Sequence, residues 1–338
     1  MNPERTARVL VFALALALPL GVLLTRWAGI PRQGGEWIEI HGRMSDDGGW
    51  TPDEITVDVG EVLHLRLTSD DVVHGFAIGQ SNFEAVDVMP GEVTQATVTL
   101  EQPGRYVFYC TRWCGVNHWR MRGTIDVRGE TSEPDTAMSP LYQSLGIDLE
   151  APHPADVAPP DDPPSSHRGA NLGVPIPDRF LTAAYYRAHS PGETWHSLRA
   201  EAAAHQLTDE EVWDLVALVW ASNATPSAIE EGGRLYASNC AACHGERGAG
   251  DGVMARALAN GAAARLEDRD PSPANFTDAV QMLGATPALL QGKIIRGGMG
   301  TGMPNWGPIL TDAETWALVA YLWRFQFGPA NTGPDTAR

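Results

Sequence analysis

The stretch that most constrains this chain is Cys110-Thr-Arg-Trp-Cys114-Gly-Val-Asn-His118-Trp-Arg-Met121. It places two thiols, an imidazole and a thioether within twelve residues. Soft sulfur donors beside imidazole suit copper or zinc better than calcium or magnesium. The surrounding chain then has to be read for whatever could hold such a loop and add to its ligands.

The residues before and after the loop alternate in the manner of strands. Alternation starts at Trp37-Ile-Glu-Ile and continues through Ile55-Thr-Val-Asp-Val and Val62-Leu-His-Leu-Arg-Leu. Further strands are expected at Gly75-Phe-Ala-Ile, Thr94 to Leu100, Tyr106-Val-Phe-Tyr and Gly123-Thr-Ile-Asp-Val, with turns at Val59-Gly60, Pro90-Gly91 and Pro103-Gly104. Many short strands without helical periods predict an antiparallel sandwich from about Gly34 to Gly129. In a Greek-key sandwich, loops at one end of neighbouring strands cluster. His74, closing Ser69-Asp-Asp-Val-Val-His74, can therefore meet Cys110, Cys114, His118 and Met121. A single copper would find this set rich in sulfur, whereas two thiolates bridging two coppers divide it better. His64 alternates with Val62 and Arg66 in a strand and is expected to face solvent, and His41 belongs to no motif.

Asp71-Val-Val-His74 followed by Cys-x3-Cys-x3-His-x2-Met resembles the binuclear copper (CuA) domain of cytochrome c oxidase subunit II, a pattern shared with nitrous oxide reductase. The resemblance covers residues 36 to 128 or so. It implies a cupredoxin-like Greek-key sandwich in which Cys110 and Cys114 bridge two coppers and His74 and His118 cap one each. It also implies Met121 as a weak thioether ligand and the backbone carbonyl of Arg112 as the last donor. Subunit II usually carries Glu at that carbonyl position. Arg112, Arg120 and Arg122 are expected to put positive charge near the site and favour its reduced state.

Residues Val9 to Thr25 carry no charge, with Arg5 and Arg8 before them and Arg26 and Trp27 after. Such a run reaches the lower limit of about 17 residues for a spanning helix. No small-x-small cleavage site follows it, so a retained single-pass anchor is expected over a signal peptide. Both readings put the remainder outside the cytoplasm. The formal net charge of -18 argues against nucleic acid and is compatible with a basic protein partner. The cysteines form two close pairs, 110/114 and 240/243, each with a better use than a disulfide.

Residues 131–170 are rich in Pro, Asp, Ser and Glu and read as an extended, poorly ordered linker. An internal repeat follows. Pro177-Asp-Arg-Phe180, Ser190-Pro191 and Leu207-Thr-Asp-Glu-Glu-Val-Trp return as Pro273-Ala-Asn-Phe276, Thr286-Pro287 and Leu310-Thr-Asp-Ala-Glu-Thr-Trp. The offset grows from 96 to 103, because the first copy lacks a counterpart of the loop Gly297 to Pro308. It also lacks a CxxCH, so residues 171–223 read as a degenerate half repeat without cofactor.

Cys240-Ala-Ala-Cys243-His244 is the c-type haem attachment motif. Two thiols add to the haem vinyl groups, and the adjoining His244 offers its imidazole to the iron. Residues 226 to 327 resemble a small cytochrome c, with crossing helices at Ala228 to Asn239 and Asp312 to Phe325 and a cap at Thr311 or Asp312. The sixth ligand is expected to be a downstream methionine. Met303, followed by Pro304, is preferred over Met299, and Met254 and Met282 are expected in the core.

These readings assemble into a multidomain chain. Residues 1–32 are the anchor, 33–130 the all-β CuA domain, 131–170 the linker, 171–223 the degenerate repeat, 224–328 the all-α cytochrome c domain and 329–338 a tail. The resemblance implies the electron-input subunit of a haem–copper terminal oxidase, bound to the cell membrane with its domains on the periplasmic side. One covalent haem c and the CuA centre would connect a donor, such as a cytochrome c or a quinol-oxidising complex, to catalytic subunit I. The CuA subunit of a nitric oxide reductase, and a tethered carrier without catalytic partner, are the other readings. Such subunits usually have two transmembrane helices, whereas one is found here.

Overall fold

The computed structural model describes residues 37–115, 117–130, 139–256, 272–298 and 302–327. The apolar run Val9 to Thr25 and Met299 lie outside these residues. Among the described residues, no helix is long and apolar enough to cross a membrane.

The first part is a two-sheet sandwich. Its strands are β1 (Trp37–Gly42), β2 (Trp50–Thr51), β3 (Glu54–Asp58), β4 (Val62–Ser69), β5 (His74–Ile78), β6 (Val86–Val88), β7 (Val93–Thr99), β8 (Gly104–Tyr109) and β9 (Arg122–Arg128). One sheet has the order β2-β1-β4-β7 and the other β3-β9-β8-β5-β6. The period of two decides which side chains go inside. In β4, Leu63, Leu65 and Leu67 are buried, while His64 turns outward and lies beside Trp37 at 5.3 Å. Each such leucine contributes about 2 kcal/mol on leaving water. Trp50, Phe76 and Phe108 fill the middle as an aromatic cluster, with Trp50 edge-on to Phe76 at 5.3 Å.

The sheets are not purely antiparallel as expected. β1 runs parallel to β4, and β3 runs parallel to β9. Alternation specifies faces and carries no information about strand direction, so the pairing was hidden. Gly60 and Gly91 adopt positive φ at the turns, where a β-carbon is disfavoured.

The second part is helical and has one continuous core, from Leu149 to Phe327. The Pro/Asp-rich stretch departs from its expected disorder. From residue 139 it wraps the helices, burying Leu149 and donating Ala155 N–H to the carbonyl of Val280 at 2.8 Å. Ala158 accepts from the indole of Trp213 at 3.2 Å. Prolines do not prevent packing where backbone carbonyls and a few apolar anchors hold an extended chain.

The two repeat copies share local devices. Thr208 with Glu211 and Thr311 with Glu314 form capping boxes at helices Asp209–Ser222 and Asp312–Leu322. Ser190 and Thr286 cap helices that both begin with proline. The crossing is repeated as well. A β-carbon on Gly232, in helix Pro226–Asn239, would lie 2.1 Å from the carbonyl oxygen of Ala317. One on Gly169, in helix Ser166–Asn171, would lie 2.3 Å from that of Asp214. Asp214 and Ala317 are separated by the same 103 residues as Leu207 and Leu310. The first copy thus begins inside the stretch assigned to the linker, earlier than residue 171.

Candidate metal and haem sites

The loop after β8 lies across β5 because Gly75 leaves room for it. A β-carbon there would meet Thr111 Oγ1 at 2.1 Å, and Thr111 N–H donates to the Gly75 carbonyl at 3.2 Å. The same crossing brings His74, the first residue of β5, under the loop. Cys110, Cys114, Met121 and His74 are all buried.

Their donor atoms converge. Cys110 Sγ lies 3.8 Å from Cys114 Sγ, 3.9 Å from His74 Nδ1 and 3.2 Å from the carbonyl oxygen of Arg112. Cys114 Sγ lies 3.4 Å from His118 Nδ1 and 3.8 Å from Met121 Sδ. The sulfurs are far from the roughly 2 Å of a disulfide, and both thiols are unbridged. His74, Cys110 and Cys114 alone form a cluster able to hold a metal ion. Two thiols, two imidazoles, a thioether and a carbonyl oxygen thus converge, a donor set that suits soft metal ions.

Two neighbours complete the site. Asp71 Oδ1 lies 2.7 Å from His74 Nε2, and its carboxylate also accepts the N–H groups of Met44 and Val72 at 2.6 Å. Asp71 belongs to the sequence motif, but only its contact with His74 shows this task. Trp50 packs edge-on to the His74 ring at 5.8 Å. Burial works against the charged imidazole of His74, yet Cys110 and Asp71 at its two nitrogens hold its pKa above the ordinary value. The Cys114 thiol, with His118 and His74, draws the Cys110 pKa down, and Cys114 is pushed up in turn. Arg112 differs from its expected effect in one respect. Its guanidinium is bidentate on Asp87, at 2.7 and 2.6 Å, so its charge is largely compensated. His41, assigned to no motif, lies 3.4 Å from Asp70 on the surface.

In the helical part, Cys240, Cys243 and His244 occupy the turn after helix Pro226–Asn239. Gly245, Gly248 and Gly250 take positive φ as the chain turns away. His244 Nδ1 lies 3.1 Å from the carbonyl oxygen of Ala274, which leaves Nε2 as the nitrogen for a metal. Its ring stacks on Phe276 at 4.6 Å. Burial lowers the His244 pKa and raises Cys240 to about 12 and Cys243 to about 11. Met303 is half-buried against the helical core, and its carbonyl accepts from Gly298 N–H at 3.1 Å. Met254 and Met282 are buried.

Residues 51–127 match the family of the cytochrome c oxidase subunit II periplasmic domain, and residues 229–326 match the cytochrome c family. The chain joins a subunit II periplasmic domain to a cytochrome c domain. The first family implies copper and the second implies haem. Over 80 residues the chain is 40% identical to cytochrome c oxidase subunit 2 of Thermus thermophilus, an overlap of 24% of this chain and 58% of the relative. It is 33% identical over 92 residues to the Cbb3-type cytochrome c oxidase subunit CcoP of Cereibacter sphaeroides, covering 27% of this chain and 26% of that one. The chain therefore spans little more than half of the first relative. A chain of a heme-copper terminal oxidase dimer overlaps 38% of this chain and 100% of its own length, at 27% identity and a TM-score of 0.26.

Proposed function

We propose that this chain is the electron-input subunit of a haem–copper terminal oxidase. Electrons from an external donor would pass by way of a covalent haem c and a binuclear CuA centre to catalytic subunit I in the membrane. The observation that carries the reading is the convergence of His74, Cys110, Cys114, His118 and Met121 in a chain that also holds Cys240-Ala-Ala-Cys243-His244.

The roles follow from the donors. Cys110 and Cys114 would hold the copper through their thiolates, with His74, His118, Met121 and the Arg112 carbonyl supplying the other donors. Asp71 orients His74. Cys240 and Cys243 would hold the haem covalently, with His244 and Met303 supplying donors to its iron. When bound, these groups exchange single electrons without bond chemistry, so the chain has to hold geometry and exclude water. Residues 9–25 anchor the chain, with residues 33–130 and 224–328 on the periplasmic side, and residues 171–223 are a repeat that lost its haem. The oxygen-reducing centre would belong to the partner subunit.

Metal and haem analysis of the purified chain, with visible and EPR spectra, tests this. Two coppers and one haem per chain with a delocalised mixed-valence signal are the expected result. One copper, or zinc, ends the reading. Oxygen uptake by the purified complex, rather than nitric oxide consumption, is the second expected outcome, and neither activity would leave a tethered carrier.

A further inference from the structure

The strands that flank the copper-type loop are in contact with the loop that carries Met303. Gln80, just past β5, donates its backbone N–H to the carbonyl of Ile309 at 3.0 Å, and its side-chain amide donates to that of Gly307 at 2.7 Å. Arg122, next in chain to Met121, donates Nη1 to the carbonyl and the Oδ1 of Asn305, at 3.0 and 3.2 Å. Its guanidinium lies over the Trp306 ring at 5.3 Å. Gly79 meets the backbone of Ile309 so closely that a β-carbon would lie 2.7 Å from its Cα. Val107 and Tyr109 of β8 join the helical core from this side.

On its other face, the same loop is fastened to helix Pro287–Arg296. Trp306 N–H and Gly307 N–H donate to the carbonyls of Ile294 and Ile295 at 3.1 and 3.0 Å. Asn305 and Trp306 are two and three residues from Met303, and Arg122 is one residue from Met121. Few covalent steps therefore separate the two sites, and one hydrogen-bonded pair closes the gap.

We infer that the cytochrome domain is held docked on the sandwich through this junction, and that Arg122 with Asn305 is the bridge that sets the rate of electron exchange between the haem and copper sites. This rests on the function proposed above and adds that exchange occurs inside one chain, in a standing contact. The residues at the two sites would have to hold a one-electron donor and a one-electron acceptor, so that the single electron lost at one is gained at the other with no bond made and no proton needed. Arg122 is a positioning residue, since it acts through its contact with Asn305 on the loop that carries Met303. A swinging, charge-steered domain would behave differently, because encounters between exposed charges weaken as salt screens them.

The test uses the full chain loaded with haem and copper. The haem is reduced by a flash of light with a flavin donor, and its reoxidation is followed by absorbance. The rate is expected to be independent of protein concentration and of salt. Arg122→Leu and Asn305→Ala should each slow it roughly tenfold or more, as small misplacements do, with copper EPR and haem spectrum unchanged, and Asn305→Ala, which removes no charge, should also leave both midpoint potentials where they were. Arg105→Leu, in an exposed pair with Asp126 elsewhere on the sandwich, should leave the rate alone. Hydrogen exchange on the cofactor-free chain gives an independent reading, with the Gln80 amide protected and Asn305→Ala loosening it. A rate that scales with concentration or falls steeply with salt, native rates in both variants, or an unprotected Gln80 amide would overturn the junction. Failure to load copper and haem would instead defeat the functional reading, and the exchange measurement would still decide the docking.

Discussion

Asp71 lies 2.7 Å from Nε2 of His74, which leaves Nδ1 as the nitrogen turned to Cys110. A carboxylate behind a ligating imidazole sets its tautomer and raises its basicity. Asp71→Ala should therefore weaken copper binding by about 10- to 100-fold, measured by titrating copper into the metal-free chain in competition with a chelator. Unchanged affinity would remove Asp71 from the site.

Arg112 and Asp87 should act on the copper potential in opposite senses. Arg112→Gln leaves the carboxylate uncompensated and should lower the midpoint potential, whereas Asp87→Asn should raise it. The double variant should return close to the native value, because the pair is bidentate and its charges cancel. The pair is exposed, so melting temperature should hardly move. A redox titration in which Arg112→Gln raises the potential would contradict this account.

Met303→Ala should lower the haem midpoint potential, since thioether ligation raises it. Met299→Ala should leave the potential and the haem spectrum unaltered. Visible spectra and a potentiometric titration of both variants decide between the two methionines, and a reversed pattern would move the axial role to Met299.

Gly232→Ala and Gly169→Ala each drive a methyl group into a facing carbonyl. Both should lower thermal stability by about 1–3 kcal/mol, as overpacking does. Gly232→Ala should also reduce the haem content of the purified chain, because its helix leads directly into Cys240. Thermal melts with haem quantification would show whether the two glycines are equivalent in stability and unequal in haem content.

The candidate site was legible because most of it is local. Cys110, Cys114, His118 and Met121 sit in one loop at fixed spacing, and the two cysteines of the haem motif adjoin their histidine. Strand faces were legible for the same reason, since Leu63, Leu65 and Leu67 alternate strictly. What stayed hidden depends on distant partners. The parallel pairing of Trp37 with His64 leaves no trace in either strand alone. Leu149 and Ala155 are obscured by the prolines around them, although Leu149 is buried in the helical core and Ala155 is held by a backbone hydrogen bond to Val280. The helix around Gly169 is too short for a period to show, and it declares itself only by its crossing with Asp214. Arg122 shows in the sequence only as a charge near the cysteine loop, because its contact with Asn305 crosses 183 residues of chain.

Trp220 of the half without a haem motif stands edge-on to Trp323 at the end of the C-terminal helix, 5.7 Å away. One apolar interior serves both halves. The half without a CxxCH motif is thus the mould in which the other half is cast. Damage to it should reach biochemists as a failure of cytochrome maturation, far from any ligand, and a chain trimmed to its matching family segments would lose the partner surface its last helix was shaped against.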